Sequence, residues 1–314
     1  MKLVKKMVLG GLFALAMTAA SGNASAAPNR GLLIDTAVLA PSASVTLRSD
    51  IDRAKLKSLA AFNAVNEIAI HADDLDKQSR RPGLPLTNAF KALGPEALMP
   101  MLELLAVDNH VPATTSASAR KALETGLVEA VGLLKDPKAL PVLTSILAKS
   151  KDLTMTFVTA DAIAKLGSDD AVSALTSSLK GADATRSREI LRGLGSAHRL
   201  AATQTIAGAL DAHPDADTAA VLARALGHSA NAWAWKAKKG GAEEAPSRDA
   251  AARSLMKAYL GYEGEARNAA LKALLVVDAS STMSLINNAR KGATPAQTAA
   301  LDDLASRFAS NPAR

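Results

Sequence analysis

The residues best suited to chemistry gather in one segment. Between Gly227 and Arg248 lie both tryptophans of the chain, Trp233 and Trp235, followed by Lys236, Lys238 and Lys239, then Gly240-Gly241 and Glu243-Glu244. An indole offers a wide apolar face with one N–H at its edge, and a neighbouring ammonium adds charge. That combination suits a hot spot for a partner protein, a sugar ring or a membrane interface. Trp233, Trp235, Lys236, Lys238 and Lys239 are therefore the candidate partner-binding residues. The alternative is that Trp233 packs back on the ridge at Leu226-Gly227, with the lysines only solvated. Trp235, two residues on, would then point elsewhere.

Other chemistry is thinner. His198 and His228 each follow a Leu-Gly pair, and Asp170 holds the place of His198 one unit earlier. Those three are weak metal candidates, because a zinc site needs three or four converging ligands with supporting contacts. Capping of turns by polar side chains explains them with less, so no metal and no cofactor is expected. Asp73, Asp74 and Asp76 lack the Gly and the closing Glu of a calcium loop. Glu243-Glu244 and Asp302-Asp303 are expected to be solvated faces. No nucleophile elbow, Ser-x-x-Lys motif in a suitable context or Gly-rich phosphate loop is present. The chain has no cysteine, which removes thiol catalysis, thiolate metal sites and disulfides. These absences predict a non-enzyme with no catalytic residue.

The elements that must position the tryptophan segment are helical. The chain of 314 residues is 48% hydrophobic and only 3% aromatic. Its apolar content is largely Ala and Leu, the strongest helix formers, and strand signals are sparse beyond the first fifty residues. An all-α fold follows. Residues 1–26 resemble a secretory leader, with a basic start at Lys2, Lys5 and Lys6 and an apolar run from Met7 to Thr18 that is too short to span a bilayer. Ala24-Ser25-Ala26 predicts cleavage after Ala26. The protein is expected to be periplasmic or secreted, with no integral span in the mature chain. Of the net charge of +7, three charges belong to the leader lysines, leaving +4. Without a clustered basic stripe, nucleic acid is not an expected partner.

Helix-like runs end in Leu-Gly at Leu93-Gly94, Leu166-Gly167, Leu194-Gly195 and Leu226-Gly227, with degenerate copies at Leu133-Leu134 and Val276-Val277. Each Gly is expected to stop one helix, and a following Ser, Asp or Pro to start the next. A recurrence about every 30 residues marks stacked helix pairs. The expected repeats are residues 87–108, 124–150, 156–181, 188–213, 218–262 and 265–291. The fifth carries an inserted loop at 228–247, and a cap is expected at 295–309. Residues 27–49 are expected to be irregular, Asp50 to cap a first helix, and 73–85 to be a loop. The repeat-bearing unit as a whole is expected to span 50–314.

The string from Ala130 to Leu143, with Lys135-Asp136-Pro137 at its turn, resembles bacterial HEAT-like repeats, including the short type found in phycobilin lyases. Lys165-Leu166-Gly167-Ser168-Asp169-Asp170 repeats the pattern, and Arg267 to Leu275 supplies the first-helix string. The step is shorter than the HEAT period of about 40–47 residues. The resemblance implies a right-handed α-solenoid of antiparallel helix pairs that binds a protein partner. It supplies no general catalytic residue. Two other functions stay open: a cell-envelope carbohydrate or membrane-surface binder acting through the Trp/Lys loop, and a repeat-type lyase.

Overall fold

The computed structural model describes residues 30–238 and 241–311, and the expected leader at 1–26 lies outside them. Among the described residues the chain is all-α, without a strand. The helices are α1 (Pro41–Lys57), α2 (Leu59–Ile70), α3 (Ala72–Gln78), α4 (Thr87–Lys91), α5 (Leu98–Ala106) and α6 (Ala117–Leu134). They continue with α7 (Leu140–Lys149), α8 (Leu153–Lys165), α9 (Asp169–Ser178), α10 (Ala184–Leu194), α11 (Leu200–Asp211) and α12 (Ala216–Ser229). The series ends with α13 (Ala232–Ala237), α14 (Glu244–Gly261), α15 (Gly264–Val277), α16 (Thr282–Arg290) and α17 (Pro295–Ala309).

Two expectations about the N-terminal third are corrected. The first helix begins at Pro41 and not after Asp50, because Pro at the first position is already set for the helix and needs no N–H there. Asp50 lies inside α1, where it pairs with Lys138 at 2.9 Å and with Arg53. Of the expected loop at 73–85, the first six residues belong to helix α3 and only 79–85 is irregular. Asp76 of α3 is buried and accepts the Gly83 N–H at 2.6 Å, so this carboxylate closes a turn.

Contacts between helices follow a repeating order. α6 packs on α8, α8 on α10, α10 on α12 and α12 on α15, forming one row. α5 packs on α7, α7 on α9, α9 on α11, α11 on α14 and α14 on α16, forming a second row. One contiguous apolar core runs along the seam, from Ile34 through Leu127, Leu143 and Ile163 to Leu301 and Leu304. α17 covers the last pair, with Leu301, Leu304 and Phe308 buried beneath it. Its N-terminus carries a capping box, in which the Gln297 N–H donates to Thr294 Oγ1 at 3.3 Å and Thr294 N–H to Gln297 Oε1 at 3.0 Å.

The Leu-Gly landmarks divide into two kinds. Gly94 and Gly167 are left-handed, with φ of 77° and 71°, and each stands just past a helix end. In the degenerate copies Lys135 and Asp278 take the same left-handed place, at φ of 57° and 43°. Gly195 and Gly227 do not, and Gly227 corrects the expectation that every Gly is a stop, whereas α10 does end at Leu194 with Gly195 as its cap. Gly195 is right-handed, and Gly227 lies within α12. What they supply is space. A Cβ built on Gly227 would meet the Ala273 Cβ at 2.8 Å, and one on Gly195 would meet the Ala225 carbonyl at 2.8 Å. Gly132 and Gly193 do the same against α8. The first row is therefore stacked through small residues that let helix axes approach closely.

Candidate functional site

The tryptophan segment is built from the end of α12 outward. α12 runs on through Gly227 to Ser229, then Asn231 caps the short helix α13 by accepting the N–H groups of Trp233 and Ala234 at 2.9 and 3.2 Å. Two residues apart, the tryptophans take opposite environments. Trp235 is 2% exposed and Trp233 58%. The alternative in which Trp233 folds back is thus reversed: Trp235 is the ring that packs. Its Nε1–H donates to the Ser229 carbonyl at 3.0 Å, satisfying the one polar atom of the indole.

The same carbonyl accepts His198 Nδ1–H at 3.2 Å. A carbonyl only accepts, so this bond fixes the proton on Nδ1. The Ser229 hydroxyl meets Thr203 Oγ1 at 2.7 Å, and Thr203 donates its own proton to the Arg199 carbonyl. Ser229 is therefore the donor of that pair. His198 stands in a left-handed conformation, φ 46°, which costs a residue with a Cβ about 1–2 kcal/mol and is offset by these bonds.

The stacking brings His198 and His228 together, edge to face, with ring centres 5.3 Å apart. Burial pushes the His198 imidazole below its ordinary value, the Ser229 bond opposes this, and repulsion from His228, Lys238 and Lys135 adds to the fall. His228 is lowered by desolvation too, against attraction from Asp161 and with repulsion from Lys165. Asp170 is not part of this pair. It is exposed in the first turn of α9. Among the described residues no three His, Asp or Glu converge as metal ligands.

The lysines divide as well. Lys238 donates to the His198 carbonyl at 3.0 Å, and its ammonium lies 5.0 Å from the Trp235 ring centre. Partial burial and repulsion from Arg199 hold that ammonium below its ordinary value. Lys236 is exposed and stands over the Trp233 ring at 5.4 Å. Lys239 lies outside the described residues.

A second clamp escaped sequence reasoning. Arg199 grips Glu243 with Nε and Nη2, both at 3.0 Å, and the Leu200 N–H donates to the same carboxylate at 3.0 Å. Arg199 also reaches the Gly167 carbonyl at 3.2 Å and Asp169 at 2.6 Å. Three connections, before α9, before α11 and before α14, meet at one guanidinium. The Arg199 bonds, with Leu200, hold the Glu243 carboxyl below the usual carboxylate range. The expectation of a solvated Glu243 is corrected accordingly. Only its position just before a helix hinted at the role.

Comparison with known proteins adds little to this geometry. The chain matches no protein-family description and no curated protein. Among solved structures, human deoxyhypusine hydroxylase in complex with glycerol is similar over 82% of this chain and 99% of that one, at 13% identity and a TM-score of 0.31. A likeness at that level transfers no residue role. That chain is by name a hydroxylase, and the expectation of a non-enzyme for this one rests on missing motifs alone, an absence that does not exclude activity. The prediction of a non-enzyme from missing motifs is therefore withdrawn. Among the described residues no helix is long and apolar enough to cross a membrane.

Proposed function

We propose that the chain is a HEAT-like helical-repeat scaffold, exported to a periplasm or beyond, whose α13 surface binds a partner protein. Two rows of sequential helix contacts support a stacked superhelix, which we read as right-handed with antiparallel pairs, because each unit then buries its apolar face on the next. The observation that carries the binding reading is the contrast at α13. Trp235 is buried and fixes the helix, and Trp233 projects to solvent with Lys236 over its ring. A large exposed aromatic on an anchored turn loses little entropy when a partner covers it.

The test is partner capture from the envelope of the exporting cell, with wild-type, Trp233→Ala and Lys236→Ala proteins immobilised. A captured protein that is lost with Trp233→Ala and survives excess glycan supports the reading. Displacement by glycan would assign the surface to carbohydrate. Capture unchanged by Trp233→Ala would overturn the site.

A further inference from the structure

A different cleft carries chemistry of its own. It measures about 320 Å³ and opens where α6, the end of α7 and the start of α8 meet, at the small end of the usual range for ligand sites. Ile146, Met155 and Leu33 give it an apolar floor. Four cations line it: Arg120, Lys121, Lys149 and Lys151. Only Lys121 is committed, pairing with Asp152 at 3.3 Å. Asp152 is itself committed, accepting the N–H groups of Thr154 and Met155 as the cap of α8. Burial pushes its carboxyl up, but those amides and Lys121 outweigh it and hold it low. Glu124 faces the same space, half-buried. Burial raises its carboxyl above the usual range, Asp152 adds to this, and Arg120 and Lys121 oppose it.

Arg120, Lys149 and Lys151 thus line, without an ion-pair partner among the described residues, a cleft that returns too little negative charge. Three uncommitted cations over an apolar floor match a ligand with the reverse arrangement. We propose that this cleft binds a carboxylate carried on a short apolar stem, the chemistry of an acidic residue among apolar ones in a peptide or of a free medium-chain acid. Arg120, Lys149 and Lys151 take the carboxylate, and Ile146, Met155 and Leu33 take the stem. Ionised Glu124 repels the ligand, whereas protonated Glu124 donates a hydrogen bond to it. Affinity therefore rises as pH falls through the raised Glu124 value. This site shares no residue with the Trp233 surface and stands or falls separately.

The experiment uses the full chain and two probes: a fluorescein-labelled Leu-Glu-Leu-Glu-Leu peptide, with its Gln counterpart as control, and octanoate followed by calorimetry. Binding of the Glu peptide or of octanoate supports the site, and which probe binds assigns the source. Lys149→Glu with Lys151→Glu, both exposed positions, should weaken binding at least tenfold with helical circular dichroism unchanged. Wild-type affinity should rise as pH falls through the raised Glu124 value, and Glu124→Gln should lose that rise. Failure of both probes to bind overturns the proposal, as does equal binding of the Glu and Gln peptides, unaltered binding by the double variant, or a wild-type pH profile in Glu124→Gln.

Discussion

The indole Nε1 of Trp235 and the main-chain carbonyl of Ser229 are joined by a buried 3.0 Å hydrogen bond that spans the break between α12 and α13. The ring closes the end of one first-row helix and sets the angle at which the next short helix leaves it. Because Asn231 caps α13 at the same point, the six residues from Ala232 to Ala237 are held from both sides. Trp233 owes its presentation to this arrangement and not to any burial of its own.

Trp235→Ala should therefore cost about 3–5 kcal/mol of stability, the range for emptying a buried aromatic site. Trp235→Phe keeps most of the volume and loses one donor. His198 still holds the Ser229 carbonyl, so the cost should be about 1 kcal/mol. Trp233→Ala should change stability by less than about 0.5 kcal/mol. Urea unfolding followed by circular dichroism separates the three. A large loss from Trp233→Ala would show that the exposed ring bears on the fold.

A pH dependence follows from His198. Its folded value lies below the unfolded one, since burial disfavours the imidazolium. Above pH about 6.5 both states are neutral and the folded protein keeps its full stability. As pH falls below that value, the unfolded chain takes a proton that the folded chain resists, and stability drops. His198→Asn removes the titration, tolerates the left-handed backbone and can still donate to Ser229. The loss of unfolding free energy between pH 7.5 and 5 should shrink in His198→Asn, by less than about 1 kcal/mol for this partly exposed ring. An unchanged pH slope would remove His198 as its source.

How much of this was legible in the sequence depends on what each residue's neighbours are. Ala and Leu content announced helices because propensity is local. Gly94 and Gly167 were readable as stops because a left-handed residue beside a Pro or Ser-capped start is also local. The spacing role of Gly195 and Gly227 was not legible because their partners, Ala225 and Ala273, sit on the next helix of the row, and a close approach leaves no mark in the adjacent sequence. The tryptophans were singled out by rarity, but which ring would be buried depended on the carbonyl of Ser229, whose position only the fold sets. Arg199 and Glu243 are more than forty residues apart, so no spacing rule could join them. The Glu124 cleft was invisible for the same reason, its cations coming from two helices and the turn beyond the second.

The overall shape is testable apart from any binding. A compact globule of this length has a radius of gyration of about 20 Å. The proposed superhelix would place the first and last units far apart, so small-angle scattering should then give a clearly larger value. A radius near 20 Å would contradict the extended superhelix and leave the helix contacts to be met by a closed bundle.

The small-residue stacking makes the sharpest prediction because two effects oppose each other. Within a helix, Gly→Ala ordinarily gains about 1 kcal/mol, since glycine loses more backbone entropy on folding. At Gly227 the added Cβ would lie 2.8 Å from the Ala273 Cβ and 3.1 Å from its Cα, closer than carbon atoms pack. The backbone of α15 cannot swing aside as a flexible side-chain tip would, so α12 and α15 must separate. Overpacking of this kind typically costs about 1–3 kcal/mol, which outweighs the propensity gain. Gly227→Ala should therefore destabilise the protein. Gly208→Ala, in a helix with nothing near its Cβ, should stabilise it. Adding Ala273→Gly to Gly227→Ala should recover part of the loss, because the contact is then relieved from the other side. Thermal unfolding of the four proteins decides it, and a stabilised Gly227→Ala would mean that the two helices do not approach as closely as this.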